Sequence, residues 1–207
     1  MKILEQSWSF ENTPRGQEII TLLERAGRTC YKSESRITPE SAADFIKSII
    51  KNGHHSVLEH ANITVRIITN RGVTHELVRH RLAAYSQEST RYCNYSGEME
   101  FILPVWLVGD EANLLEYFVW SETMRFCEAR YNQFLSIGWK PEQARGVLPN
   151  DLKTEIVMTA NIREWRHVFA LRCSKRAHPQ MRALMRDMLK DFQKFVPTIF
   201  DDITYEE

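Results

Sequence analysis

The sequence has few of the features that mark secreted, metal-finger or membrane proteins. Its four cysteines, Cys30, Cys93, Cys127 and Cys173, form no C-x-x-C pair and no spacing typical of a zinc finger. No apolar run approaches the ~20 residues that a membrane-spanning helix requires. Polar residues follow Met1 too early for a signal peptide. We therefore expect a soluble cytoplasmic protein with reduced thiols.

The chain also lacks a net charge, with 27 basic and 27 acidic residues among its 207. No overall basic field draws it to nucleic acid, so any polyanion must be bound by local arginine clusters. No repeat, low-complexity tract or linker divides the sequence, and its hydrophobic fraction of 43% is ordinary for a globular protein. These observations predict one domain over residues 1–207.

Hydrophobic periodicity predicts two β-branched strands, each followed by a helix. The strands are expected over 62–69 and 154–160, with helices opening near Thr74 and Asn161. Asn161 with Glu164 three residues later resembles a capping box. Further helices are predicted by proline, capping residues and apolar spacing, and they begin near Thr13, Thr38, Asp110, Pro141 and Pro179.

The stretch Glu76–Tyr92, E-L-V-R-H-R-L-A-A-Y-S-Q-E-S-T-R-Y, has the densest set of functional groups. If it were helical, Arg79, His80 and Arg81 could not share a face, and Arg81 would point toward the apolar side. A guanidinium in that place needs a partner, which an anionic ligand would supply. The alternative is an ordinary amphipathic helix with a basic face.

A second polar cluster is Gly53–His60, with three histidines and a glutamate. Histidine and carboxylate suit zinc or iron, and a hydrolase using His54, His55, Glu59 and His60 is one alternative. The spacing is not H-E-x-x-H, which favours a turn that lends polar groups to a cleft. A nucleotide- or RNA-binding module without chemistry is the other alternative, although no RNA-binding motif is present.

Four motifs in order resemble those of the flavin-dependent thymidylate synthases. Arg79-His80-Arg81 with Ser89 matches R-H-R-x7-S, and 53–60 is similar to G-H-x-[ST]-x-x-E-H. The segment 144–149 is similar to A-R-x-x-L-P, and 161–172 to the N-x-R and L-R segments. The resemblance implies an α+β fold with a mixed sheet and long flanking helices, assembled as a homotetramer with active sites at subunit interfaces.

The resemblance further implies reductive methylation of dUMP to dTMP. Methylenetetrahydrofolate would supply the carbon and leave as tetrahydrofolate, FAD would carry the hydride, and NADPH would reduce the flavin. No metal, nucleic acid or membrane partner is expected. The cysteine-nucleophile synthases use a P-C-H segment, which this sequence lacks.

The same resemblance assigns residues to each ligand. Arg172 is expected to be catalytic, as the positive charge that stabilises an ionised uracil ring. Ser89 would orient the substrate rather than attack it. The residues expected to bind FAD are His54, Ser56, Arg79, His80, Arg81, Gln87, Asn161, Arg163 and His167. Those expected to bind the nucleotide are Glu76, Arg79, Gln87, Ser89, Arg91, Arg145 and Arg172.

The sequence departs from the family pattern after Arg172. Where A-x-x-H-A-Q is expected, the chain reads C-S-K-R-A-H-P-Q, so Arg176 takes the histidine's place and His178 follows two positions later. We assign no catalytic role to His178.

Overall fold

A computed structural model describes residues 1–108 and 113–206. The helices are α1 Gly16–Thr29, α2 Ser41–Lys51, α3 Arg71–Leu77, α4 Leu114–Ser136, α5 Pro141–Ala144, α6 Ile162–Arg172, α7 Pro179–Phe195 and α8 Pro197–Phe200. The strands are β1 Lys2–Leu4, β2 Ser7–Phe10, β3 Asn62–Asn70, β4 Ala83–Gln87, β5 Glu100–Ile102 and β6 Lys153–Asn161. The predicted α+β class is confirmed.

The strands form two sheets. One pairs β1 with β5 in parallel, with Lys2 opposite Glu100 and Leu4 opposite Ile102. The other has four strands in the order β2-β3-β6-β4. Its strands β3 and β6 alternate buried and partly buried residues along their length, as β-branched alternation predicts. Strands β1 and β2, which are only three and four residues long, were not predicted.

The chain folds into two compact units. The first comprises Met1–Trp8, Arg66–Arg79 and Tyr85–Val157, and the second Ser9–Val65, His80–Ala84 and Met158–Glu207. That the whole chain is one domain stays a prediction. No helix in the described ranges combines the length and the hydropathy needed to cross a membrane.

In the first unit, the core lies under the second half of α4. Met124 and Tyr131 from α4 pack with Phe101 of β5, and Met99 and Leu152 complete the buried cluster. Another face of α4 is different, because Leu114, Leu115, Phe118 and Phe126 are 58–86% exposed. These four side chains therefore do not belong to the core, whereas Tyr131 of the same helix does. The predicted cap, Asp110, lies outside the described residues, and Asn113 caps the helix.

In the second unit, the core is an aromatic cluster between α6 and α7. Trp165 and Phe169 of α6 lie with ring centroids 5.1 and 4.9 Å from Phe192 of α7. The Trp165 indole also donates to the backbone oxygen of Ile63 at 3.0 Å, so the core holds β3 against α6. The apolar residues of α7 recur at helical spacing, and all but the partly exposed Phe195 are buried: Met181, Leu184, Met185, Met188, Leu189 and Phe192.

Candidate functional site

The segment expected to be a helix through Arg79–Arg81 is instead a turn. Helix α3 begins at Arg71, one residue after its Asn70 cap, and ends at Leu77. The chain then turns and enters β4 at Ala83. His80 is 5% exposed, whereas Arg79 and Arg81 are both exposed. The prediction that Arg81 points to the apolar side is therefore wrong, and the inward group is the histidine.

In the second unit, His80 links Glu164 to Arg172. The Nε2 atom of His80 accepts a hydrogen bond from Nε of Arg172 at 2.9 Å. Its Nδ1 atom lies 3.4 Å from a carboxylate oxygen of Glu164, which is also 5% exposed. Both partners project from α6, one at each end of the helix. Three groups that the sequence spreads over 93 positions thus form one chain of contacts.

His80 is neutral in this setting. Burial, followed by the positive charges of Arg172 and His167, lowers the pKa of His80 from 6.5 to about 4. Burial also raises the pKa of Glu164, while His167 and Arg163 act in the opposite direction. The His167 ring stands edge-on to His80, with centroids 5.7 Å apart. A neutral imidazole explains how Arg172 can donate to His80 rather than repel it.

Two cavities of the second unit share His55 and Arg163 in their walls. One, of about 520 Å³, is lined by His55, Leu58, Leu82, Arg163, Glu164, Arg166, His167 and Ala170. The other, of about 400 Å³, is lined by residues that include His54, Ser56 and Tyr31. Both volumes are in the range of small-molecule sites. The structure therefore brings five of the predicted cofactor-binding residues to one region, and these are His54, Ser56, His80, Arg163 and His167.

The segment predicted as a polar turn forms a 3-10 helix, His55–His60. It faces the start of α6, because Glu59 accepts from Arg163 at 2.7 Å and Ala61 oxygen accepts from Ile162 at 3.0 Å. At the same end of α6, Asn161 caps the helix by accepting from the Glu164 backbone at 2.8 Å. The Asn161 side chain is thus used within the protein, as the sequence predicts for a cap.

The first unit carries a second group of predicted residues. Gln87, at the end of β4, donates through Nε2 to Thr74 at 2.9 Å and to Thr154 at 3.3 Å. Both threonines are fully buried. The amide nitrogen of Gln87 is thus engaged by two hydroxyl oxygens within the protein. Glu76 is partly buried in α3.

Past β4, the chain turns at Ser89, where Arg91 of the turn and Arg145 from later in the sequence make local contacts. The Ser89 hydroxyl accepts from the Arg91 backbone at 3.3 Å, and Arg145 donates to the Thr90 hydroxyl at 3.4 Å. Arg91 donates through Nε to Glu142 at 3.1 Å. Ser89, Arg91 and Arg145 therefore share one local surface.

Comparison with known proteins identifies the family. Residues 12–198 match the family model of the thymidylate synthase complementing protein. The flavin-dependent thymidylate synthase of Geobacter sulfurreducens is 36% identical, and the match covers 93% of this chain and 84% of the relative. The flavin-dependent thymidylate synthase of Corynebacterium glutamicum is 35% identical, and the match covers 89% of this chain and 80% of the relative. The chain belongs to the flavin-dependent thymidylate synthases, and it is an enzyme of that family.

A solved structure supports the fold of this flavin-dependent thymidylate synthase. The UMP/dUMP methylase PolB from Streptomyces cacaoi, bound with 5-Br dUMP, superposes with a TM-score of 0.81 at 17% identity. The match covers 97% of this chain and 96% of PolB. At this identity the likeness concerns the fold alone.

The departure from the family pattern has a structural explanation in this synthase. His178 caps α7, and its Nδ1 accepts from the Gln180 backbone at 3.3 Å. Arg176, in the expected place of the histidine, is exposed. His178 thus has a capping role that its sequence position, directly before Pro179, could have indicated.

The histidines of 54–60 do not gather as the hydrolase alternative requires. Among the described residues, the metal-capable groups that come within 4.8 Å of one another are His80, Glu164 and His167. One nitrogen of His80 already accepts from Arg172, a cation. This arrangement disfavours a metal ion there, because a second cation would be repelled by the guanidinium.

Sequence reasoning missed several groups that shape the site of this synthase. Glu164 was predicted only as the partner of the Asn161 cap in a capping box, whereas its side chain faces His80. Thr74, Thr154 and Glu142 were not singled out, yet each contacts a predicted binding residue. The burial of alternate residues along β6 was the available signal for Thr154. No sequence signal pointed to Glu142.

Proposed function

We propose that this enzyme converts dUMP to dTMP with methylenetetrahydrofolate as carbon donor, FAD as hydride carrier and NADPH as reductant, releasing tetrahydrofolate. The family name supports a flavin, and the dUMP analogue bound to PolB supports the nucleotide. The observation that carries the proposal is the contact between Arg172 and a neutral His80. This contact orients the guanidinium without neutralising its charge.

The second unit fits FAD. Arg163, with the histidines around it, supplies donors suited to a pyrophosphate in the walls of two adjoining cavities. We infer that the cofactor is held by residues of this unit together with Arg79 and Gln87; those of this unit are His54, Ser56, His80, Arg81, Asn161, Arg163 and His167. When bound, FAD would supply hydride transfer, which no side chain can provide. The Glu59 carboxylate accepts a hydrogen bond from Arg163 at 2.7 Å, which orients the guanidinium.

The first unit fits the phosphate end of a nucleotide. Arg91 and Arg145 flank Ser89 and Thr90 on one surface, and guanidinium groups bind phosphate in a bidentate manner. We infer that these arginines, with Glu76, Arg79, Gln87 and Ser89, hold dUMP. Ser89 orients the ring as a hydrogen-bonding group. It forms no covalent bond with uracil in this scheme.

Arg172 is the proposed catalytic residue. A uracil ring ionised at its imide carries negative charge, and a fixed guanidinium stabilises that charge. The planar group presents several N–H donors in a rigid geometry, so one bond to His80 fixes the plane of the others. An arginine is suited to this task because it stays charged at all working pH values.

We further propose a cytoplasmic homotetramer in which α4 makes a subunit contact. The start of α4 exposes a large apolar patch, and Leu114 is 86% exposed. Patches of this kind mark interaction sites. Phe118→Asp combined with Leu115→Asp should reduce the assembly to smaller species in light scattering, while Thr123→Asp, an exposed position on another face of α4, should not. An unchanged mass in the double variant would move the interface away from this patch.

The flavin proposal has a direct spectroscopic test. The purified protein should be yellow, and its flavin absorbance should bleach when NADPH is added without oxygen. Protein that binds no flavin at any concentration, or that binds flavin which NADPH cannot reduce, would contradict the proposal. Metal analysis of the same sample separates this function from the hydrolase alternative.

A further inference from the structure

Glu164 is a buried carboxylate in the first turn of α6 that no predicted role explains. Its backbone N–H is bound by Asn161 at 2.8 Å, so the capping interaction leaves its side chain available for another contact. That side chain is 7% exposed and approaches His80 Nδ1 at 3.4 Å. Burying a carboxylate is costly unless it is paired. Its position against the His80 ring therefore calls for a functional explanation.

The contacts of His80 determine where its proton lies. A neutral imidazole has one N–H and one acceptor nitrogen. Nε2 accepts from Arg172, so the proton must be on Nδ1, facing the carboxylate of Glu164. A carboxylate next to one ring nitrogen favours a proton on that nitrogen. Glu164 thus fixes the tautomer that leaves Nε2 able to accept from Arg172.

We propose that Glu164 is a positioning residue for methylation, fixing His80 as the Nδ1–H tautomer so that His80 holds the Arg172 guanidinium in its working orientation. The proposal rests on the proposed function, in which Arg172 is catalytic. Glu164 acts through His80. The role differs from that of a structural acid such as Glu24, which is 1% exposed, binds Arg28 and Ser41, and lines neither cavity.

The first test measures the tautomer and needs no activity. Flavin-loaded protein is labelled with 15N-histidine, and the His80 signals are assigned among the seven histidines by their absence from His80→Gln. The wild type should show a protonated Nδ1 and an unprotonated Nε2 at neutral pH. In Glu164→Gln, whose amide can donate to Nδ1, the Nε2–H tautomer should appear. Glu24→Gln is the matched control and should keep the wild-type pattern.

Two results of that experiment would overturn the proposal. One is an Nε2–H tautomer in the wild type, a result that does not depend on whether any variant folds. The other is an unchanged tautomer in Glu164→Gln. Binding of zinc to the wild-type protein at His80, seen as a shift of its nitrogen signals, would also overturn it, because the cluster would then serve as a metal site.

The second test links the tautomer to the rate. His80→Gln retains an acceptor near the position of Nε2. His80→Asn places its polar group near the position of Nδ1 and leaves Arg172 without that acceptor. We expect Glu164→Gln and His80→Asn to lower kcat by about 10- to 100-fold, and His80→Gln to be less affected. Two further measurements separate positioning from stability. They are the KM of each variant for dUMP and the unfolding midpoint of Glu164→Gln compared with that of Glu24→Gln. Equal kcat in His80→Asn and His80→Gln would contradict the proposal.

The outcomes distinguish this proposal from the proposed function. If the wild-type enzyme shows no methylation of dUMP, the function fails, but the tautomer measurement still decides whether Glu164 sets the proton on His80. If methylation occurs and Glu164→Gln retains the wild-type kcat, the function stands and the positioning role is wrong.

Discussion

The two units hold their functional arginines in contrasting ways. In the second unit, Nε of Arg172 donates to the neutral ring of a buried histidine. In the first unit, Nε of Arg91, a side chain that is 57% exposed, donates to the carboxylate of Glu142. The first contact fixes an orientation and keeps the charge. In the second contact, the Glu142 carboxylate offsets part of the positive charge of Arg91, and a nucleotide phosphate can displace it.

This contrast matches the tasks proposed for the two residues. A group that stabilises charge during the reaction must be preorganised, since its benefit is lost if it must reorient. A group that captures a phosphate from solvent can exchange one anion for another at small cost, because exposed ion pairs contribute about 0–1 kcal/mol. The following predictions test whether the two arginines differ in this manner.

The largest effect is expected at Arg172. Arg172→Ala should lower methylation of dUMP by about 1,000-fold, the upper range for removing one preorganised donor, while FAD stays bound. Arg176→Ala, an exposed arginine just past the same helix, should leave the rate unchanged. Tritium release and the flavin spectrum are the measurements. Flavin loss with full activity per bound cofactor would show that Arg172 acts on the cofactor.

The next effect concerns stability and the neutral state of His80. Its folded pKa of about 4 lies below the ordinary 6.5, so the unfolded chain binds a proton between these values that the folded protein does not. The free energy of unfolding should therefore fall as pH drops from 6.5 to 4, by about 3 kcal/mol.

Denaturant unfolding at several pH values checks this prediction. The raised pKa of Glu164 acts in the opposite direction, and His167 and Arg172 also face the ring. The comparison is therefore made between the wild type and His80→Gln, which keeps these neighbours. The variant should lose the extra dependence over this range. Parallel curves for the two proteins would indicate that His80 titrates normally.

Arg91 should affect binding more than chemistry. Arg91→Ala should raise the KM for dUMP by about 10- to 100-fold, as expected for the loss of a charge-assisted hydrogen bond, with a smaller change in kcat. Steady-state kinetics with varied dUMP measures both. A fall in kcat as large as that of Arg172→Ala would erase the contrast between the two arginines.

The smallest effect is expected at Glu142. Glu142→Gln removes the carboxylate that competes with the nucleotide for Arg91, so KM for dUMP should decrease by no more than about fivefold. The change should shrink at high salt, which screens exposed pairs. An increase in KM would mean that Glu142 orients Arg91 for binding instead of competing with the ligand.

The sequence predicted the long periodic elements well. Strands β3 and β6 and helices α2, α6 and α7 follow from alternation or 3.6-residue spacing over many residues. The turn after Leu77 was missed because E-L-V-R-H-R-L-A-A contains no glycine or proline, and all of its residues are compatible with a helix. Pairing of Ala83–Gln87 in the sheet overrides that local preference.

The site was predicted unevenly for a similar reason. Motifs singled out the arginines and His80, because these residues stand in the short segments that resemble those of the family. They did not identify Glu164, Thr74 or Glu142, whose importance comes from contacts across many positions in the chain. Such contacts depend on tertiary packing, which local spacing does not specify.

The measurement that tests the account most directly is tritium release from dUMP labelled at the carbon that receives the methyl group. With FAD, NADPH and methylenetetrahydrofolate present, the wild-type enzyme should release tritium and form dTMP together with tetrahydrofolate. Omission of the flavin from protein freed of it should abolish both products. Release that is independent of flavin, or formation of dihydrofolate in place of tetrahydrofolate, would contradict the proposed reaction.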